Sequence, residues 1–138
     1  LRVFIDSNVP MYVAGREHPL RAPSHVFLEK VRSGEIDACT STEVLQEILY
    51  RYSALGRLDL GLGVYTLFVE LCPLVLPVTL ADTDRAQELL ERTPGISVRD
   101  AIHAAVMINH DIGTIASHDR GFDRVAGIRR FDFGTLEN

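Results

Sequence analysis

Leu1-Arg2-Val3-Phe4-Ile5-Asp6-Ser7-Asn8-Val9-Pro10 opens the chain with an apolar run that stops at a carboxylate and a group of turn formers. A run of this kind reads as a strand buried on both faces, whose C-terminal end presents Asp6. Asn8, Val9 and Pro10 suit a helix start, because a proline in the first turn lacks only an N–H that has no helical partner there. Further along, Arg16–Ala22 is polar, contains Pro19 and reads as a loop, followed by a helix from Pro23 to Arg32 that Ser33 and Gly34 end. Ile36–Thr40 reads as a second strand, and from Ser41 the spacing of Val44, Leu45, Ile48, Leu49 and Tyr52 is helical. Helices are also predicted at about Leu58–Leu71, with a start weakened by Gly61 and Gly63, at Ala81–Arg92, and at Ser97–Asn109, which is apolar around most of its circumference and so buried. Leu74–Leu76 between two prolines, Thr114–Ala116 and Ile128–Phe131 read as short strands. Short apolar strands alternating with helices require crossovers, hence a mostly parallel sheet covered on both faces: a three-layer α/β fold. Ligands in such folds sit beyond the carboxyl ends of the strands, where the winding reverses. Asp6 and the segment Ser117–Asp119 both fall at that edge.

With 138 residues, 46% of them hydrophobic, the chain suits one domain spanning 1–138, and it has no internal repeat or linker. It begins at Leu1 without an initiator Met, which leaves room for a short segment ahead of it. No run of roughly 18 apolar residues could span a bilayer, and no secretory pattern opens the chain, so a soluble cytoplasmic protein is expected. Cys39 and Cys72 lack metal-type spacing and read as reduced, buried thiols. The net charge of −5 weighs against a simple electrostatic nucleic-acid binder. It does not weigh against an enzyme whose carboxylates hold metal ions, because the ions restore positive charge where a phosphate docks. The basic residues are thirteen Arg and one Lys, a bias that genome composition produces more readily than phosphate recognition does.

Four predicted elements place acids on a buried or half-buried face: Asp6, Glu47, Asp100 and Asp119. Hard divalent cations take several oxygen ligands, and two-metal phosphoryl chemistry draws its acids from different elements. Each acid also has a local explanation. Ser97 with Asp100 forms a capping-box pattern, as does Thr40 with Glu43. Asp6 suits a turn, and Asp119 could pair with Arg120 or Arg124. On a helical wheel Glu47 falls at the margin of the Val44–Ile48 stripe while Glu43 points further into solvent, so Glu47 is the better ligand. The histidines, at 18, 25, 103, 110 and 118, include no pair with convincing ligand spacing. His103, one turn beyond Asp100, reads as a satisfied histidine that supports a ligand or sits in the core rather than as a metal ligand, and His118, beside Asp119, is placed to meet a phosphate. Ser7 and Ser117 bring hydroxyls to the same edge, although Ser7 also suits a cap. Asp6→Asn is the preferred test of the cluster, since loss of a cap at Asp100 would mask the effect there.

VFIDSNVPMYV (3–13), STEVLQEILYRY (41–52), SVRDAIHAAVMI (97–108) and GTIASHDRGFDRV (113–125) occur in the order seen in the PIN-domain ribonucleases. The chain resembles that family over its whole length, and its compact size is similar to the VapC-type toxins of toxin–antitoxin pairs. The resemblance implies a PIN-like α/β/α fold with a five-stranded parallel sheet, a metal-dependent endoribonuclease using Mg²⁺ or Mn²⁺, an RNA substrate, a small antitoxin partner and a homodimer. It implies that Asp6, Glu47, Asp100 and Asp119 are the metal-binding and catalytic acids, with Ser7, Asn8 and Ser117 in support. Many relatives carry a further acid where this chain has Gly121, a place for which Asp123 could compensate, and many have Thr where Ser7 and Ser117 stand. The chemistry implied is attack on phosphorus by a water that the cation activates, with Arg120 or Arg124 available to a flanking phosphate. A dehalogenase-type phosphatase would need an Asp at position 8, where this chain has Asn8. A DNA nuclease lies within the resemblance, but the chain has no added DNA-binding segment. The alternative from another class is a catalytically silent PIN-like module that binds RNA or protein, which metal-dependent RNA cleavage by the pure protein would discriminate.

Overall fold

The computed structural model describes residues 1–136. Its strands are β1 (Arg2–Ile5), β2 (Asp37–Ser41), β3 (Val75–Leu76), β4 (Thr114–Ala116) and β5 (Arg129–Arg130). The helices are α1 (Asn8–Ala14), α2 (Arg21–Arg32), α3 (Thr42–Ala54), α4 (Leu58–Leu71), α5 (Leu80–Arg92) and α6 (Val98–Asn109), with short 3-10 turns at Arg120–Arg124 and Phe133–Thr135. The five strands are all parallel and lie in the order β3-β2-β1-β4-β5. The chain moves outward from β1 through β2 to β3, then returns to the other side of β1 as β4 and β5. The winding therefore reverses between β1 and β4, with Phe4 opposite Ile115 and Ile5 opposite Ala116. The open ends of this pair are Asp6 and Ser117.

Helices cover both faces of the sheet, which is why Phe4, Ile5, Ala38, Cys39, Ile115 and Ala116 are completely buried. Each large apolar side chain removed from water in this way contributes about 1.5–3 kcal/mol. Helix α6 is buried on most sides, its Ala101, Ala104 and Ala105 allowing close approach to its neighbours. Burial pushes the Cys39 thiol up to about 12 and the Cys72 thiol to about 11, so both are inert, reduced thiols. No helix among the described residues is long and apolar enough to cross a membrane.

Three local expectations change. Helix α2 starts at Arg21, ahead of Pro23; the proline is then in the first turn, where its missing N–H has no partner to lose. Gly61 does more than weaken α4: a Cβ there would lie 2.6 Å from Cβ of Tyr52, so the glycine permits the close packing of α4 on α3. Thr40 and Glu43 form no capping box, because the Thr40 hydroxyl donates to the Ile5 carbonyl at 2.9 Å and Ser41 caps α3. A capping box does join Thr79 and Asp82 at the start of α5.

Candidate active site

Asp6 emerges from β1 at the reversal point and is buried, with 5% of its surface exposed. The buried Ser117 hydroxyl donates to its Oδ2 at 2.7 Å, and the Asn8 amide donates to the same oxygen at 3.4 Å. The Ser7 backbone N–H donates to Oδ1 at 2.7 Å. Asn8 also donates to Ser117 Oγ and accepts from the His118 N–H, while the Asp119 N–H donates to Ser117 Oγ at 3.0 Å. The ends of β1 and β4 are thus stapled through three side chains, which fixes the rotamer of Asp6 and the path toward Asp119. The Ser7 hydroxyl makes no capping bond to α1.

Glu47 reaches the same place from α3, two turns beyond the end of β2, and is 5% exposed. Its Oε1 lies 2.9 Å from Nε2 of the fully buried His103, which is itself 3.7 Å from Asp6 Oδ1. Its Oε2 is 3.0 Å from Nε of Arg99 in an ion pair that lacks hydrogen-bond alignment. Burial by itself would lower the His103 pKa; the hydrogen bond to Glu47 and the charges of Asp6, Glu47 and Asp100 outweigh it, so the imidazole is held above its ordinary value.

Asp100 and Asp119 meet over Gly121. A Cβ at Gly121 would lie 2.8 Å from Asp100 Oδ2 and 3.1 Å from Asp119 Oδ1, so the missing side chain is the space that these carboxylates occupy. Ser97 caps α6 by accepting from the backbone N–H of Asp100, at 3.1 Å; the Asp100 carboxylate accepts no hydrogen bond among the described residues and is left to the site. Burial, then the charges of Asp119 and Asp6, push the Asp100 carboxyl up to about 6. Such crowding is a state that a cation relieves. Asp119 is half-buried and accepts from the Gly121 N–H at 2.8 Å.

Other candidates lie elsewhere. Asp123 does not take the place left by Gly121: it is exposed and bound in bidentate fashion by Arg130, at 2.9 and 3.2 Å. Arg124 is no clamp beside Asp119, since its Nη1 donates to the Gly95 carbonyl at 2.9 Å; Arg120 is exposed. The His118 ring is stacked on Phe133 at 4.4 Å, edge-on to Tyr12, and within 2.8 Å of Ser24 Oγ. Burial holds its pKa down, so it braces the β4 end rather than offering charge to a phosphate. His103, by contrast, joins the site, its Nε2 and oxygens of Asp6 and Glu47 all lying within 4.8 Å of one another. The sequence signal for it is an imidazole on the buried face of α6, one turn beyond Asp100, in a place where a polar group needs a polar partner.

The PIN domain model matches residues 3–128. The chain belongs to the PIN-domain family. Relatives of this PIN domain include a VapC ribonuclease of Mycobacterium bovis, 40% identical over 93% of this chain and 98% of the relative. Ribonuclease VapC23 of Mycobacterium tuberculosis is 37% identical over 85% of the chain and 92% of its own length. The PIN fold also superimposes on VapBC2 from Rickettsia felis, solved with a DNA fragment from its promoter, with a TM-score of 0.74 at 17% identity over 95% of this chain and 98% of that one. VapC20 of Mycobacterium tuberculosis, a toxin that cleaves the sarcin-ricin loop, matches with a TM-score of 0.68 at 19% identity over 85% and 89%.

Proposed function

We propose that this PIN domain is a divalent-metal-dependent endoribonuclease and the toxin of a toxin–antitoxin pair. The observation that carries the reading is the buried group of Asp6, Glu47 and His103 at the point where the sheet reverses, with Asp100 and Asp119 facing each other over Gly121 and Asp100 feeling the charge of Asp6, in a chain 40% identical to a VapC ribonuclease. The donors fit Mg²⁺ or Mn²⁺, because they are mostly carboxylate oxygens and their mutual repulsion is incompletely answered by Arg99 and His103. Asp6, Asp100 and Asp119 would hold the ion, with Glu47 completing the cluster. A bound cation supplies a nucleophile at neutral pH by acidifying water, and charge to stabilise the leaving oxygen. The chain's own residues set the geometry: Ser117, Asn8 and the Ser7 amide hold Asp6, His103 and Arg99 hold Glu47, and the Gly121 amide holds Asp119. Arg99, with Nε 3.0 Å from Glu47 and 3.9 Å from Asp100, is a cation at the edge of these acids that suits a phosphate.

A groove lined by Pro10, Val13, Leu28, Val64, Leu67 and Phe68, between α1, α2 and α4, is apolar and suits the buried segment of a small antitoxin. The exposed Leu90 and Val98, on either side of a cleft between α5 and α6, suit a homodimer contact. Pure protein incubated with RNA and Mg²⁺ or Mn²⁺ tests the reading: cleavage is expected to stop with EDTA and to leave 5′-phosphate ends. EDTA-resistant cleavage, or 2′,3′-cyclic phosphate ends, would overturn it. Co-expression with the neighbouring gene product tests the toxin role; failure of that product to co-purify or to protect cells would remove it.

A further inference from the structure

Beside the acid cluster, α3 and α6 enclose a cleft of about 260 Å³ lined by Glu43, Gln46, Glu47, Tyr50, Arg51 and Arg99. Its residues on α3 follow from helical spacing: Glu43, Glu47 and Tyr50–Arg51 lie one or two turns apart along a single stripe that leads from the buried acid out to the surface. Tyr50 is 65% exposed, so its ring contributes little to the core, although it is the largest side chain in the cleft. Arg51 forms no ion pair among the described residues, whereas Arg57, Arg85 and Arg130 are each matched with a carboxylate. Arg99 stands on the α6 side, at the boundary of cleft and site, with Nε 3.0 Å from Glu47 and 3.9 Å from Asp100.

An exposed aromatic face, an unmatched guanidinium and a second guanidinium at the edge of the acids form the pattern that takes one unstacked nucleotide: a π surface for the base and cations for the phosphates on either side of it. We infer that the cleft between α3 and α6 is a nucleotide subsite, in which Tyr50 stacks a base splayed out of single-stranded or looped RNA and Arg51 pairs with the phosphate beyond it. Arg99 spans from this subsite to the scissile phosphate, and Gln46 offers its amide to the base edge. The subsite rests on the ribonuclease reading above and narrows its substrate to RNA with an unpaired base beside the cut. A duplex cannot present a base face to Tyr50 without being opened.

Fluorescence anisotropy of a 5′-fluorescein-labelled, mixed-sequence single-stranded RNA dodecamer, with Ca²⁺ as the ion to limit turnover, tests this alongside Mg²⁺-dependent cleavage of total RNA. Tyr50→Ala is expected to weaken binding about tenfold and Tyr50→Phe to keep it within about twofold. Arg51→Gln should weaken binding and lower the slope of log affinity against log salt by about one. The same dodecamer in duplex form should bind worse than the single strand. If the parent binds and cleaves RNA but Tyr50→Ala binds as the parent does, or Tyr50→Phe loses as much as Tyr50→Ala, the subsite is wrong and the nuclease reading stands. Equal affinity for the duplex would overturn the splayed base. An affinity loss that tracks a change in oligomeric state on gel filtration would place Tyr50 in a protein contact and overturn the subsite. A parent that neither binds nor cleaves would remove both readings.

Discussion

His103 Nε2 stands 2.9 Å from Oε1 of Glu47 with both side chains buried, and the other ring nitrogen meets no partner among the described residues. The pair joins α6 to α3 beneath the acids, so α6 contributes both an acid, Asp100, and the group that steadies another. His103→Ala is expected to destabilise the protein by about 3 kcal/mol, through a cavity and a buried carboxylate deprived of its neighbour. His103→Gln keeps a donor and should cost about half as much. Urea denaturation of the three proteins checks the order; equal stabilities would mean that Glu47 does not depend on His103.

Asp100→Asn is a cleaner probe of the cluster than Asp6→Asn, the reverse of the order expected from the sequence. The cap of α6 uses the Asp100 backbone N–H, and the carboxylate accepts no hydrogen bond among the described residues, whereas Asp6 accepts from Ser117, Asn8 and the Ser7 amide. Asp100→Asn should abolish cleavage and leave the metal-free protein as stable as the parent or about 1 kcal/mol more so. Asp6→Asn should abolish cleavage and cost about 1 kcal/mol through its weakened bonds. Thermal melts with and without Mg²⁺ decide the matter: the ion should raise the Tm of the parent but scarcely that of either variant.

The pH dependence of stability follows from two groups with the same sign. Asp100, near 6 in the folded chain against roughly 3.9 when unfolded, contributes stability that is complete at low pH and is lost as pH rises through about 6. His103, raised above 6.5, contributes stability that is complete below its unfolded value and is lost as pH rises through its folded one. These two groups should make the metal-free protein lose Tm from about pH 4 to pH 6 through Asp100 and above pH 6.5 through His103. Mg²⁺ should oppose the trend, since its affinity rises as Asp100 deprotonates. Calorimetric scans across that range, with the ion and with EDTA, check both parts; parallel curves would argue against the shared site.

At Gly121 the missing Cβ is the space into which Asp100 and Asp119 fit. Gly121→Ala should displace one carboxylate by a few tenths of an ångström or more and lower the cleavage rate about ten- to a hundredfold, with little change in Tm. Gly61→Ala supplies the contrast. Its Cβ would strike Tyr52 at 2.6 Å, so it should cost about 1–3 kcal/mol while the folded fraction keeps its activity. Rates and melts of the two variants, measured side by side, separate a constraint on the site from a constraint on helix packing.

The strands and helices were legible because burial imposes a period on the sequence: Val3–Ile5 and Thr114–Ala116 have no polar interruption but the rim Thr, and Val44, Leu45, Ile48 and Tyr52 repeat at helical spacing. Asp6 and Asp119 were legible as a pair because a parallel sheet sends the ends of its strands to one edge, and Glu47 because a wheel sets it against the apolar stripe. What the sequence could not decide was how each polar atom is used. Ser97 and Asp100 fit a reciprocal cap as well as a metal site, and only the fold shows that the cap takes the backbone N–H and frees the carboxylate. Asp123 and Arg124 lie close to Asp119 along the chain yet bind Arg130 and the Gly95 carbonyl, because the 3-10 turn at Arg120–Arg124 aims them away. Glu47 and His103 are 56 residues apart, and their contact exists because α3 and α6 pack together. Periodicity is a local property written by burial and readable from one chain; hydrogen bonds between distant side chains depend on rotamers and helix placement, which tertiary packing alone determines.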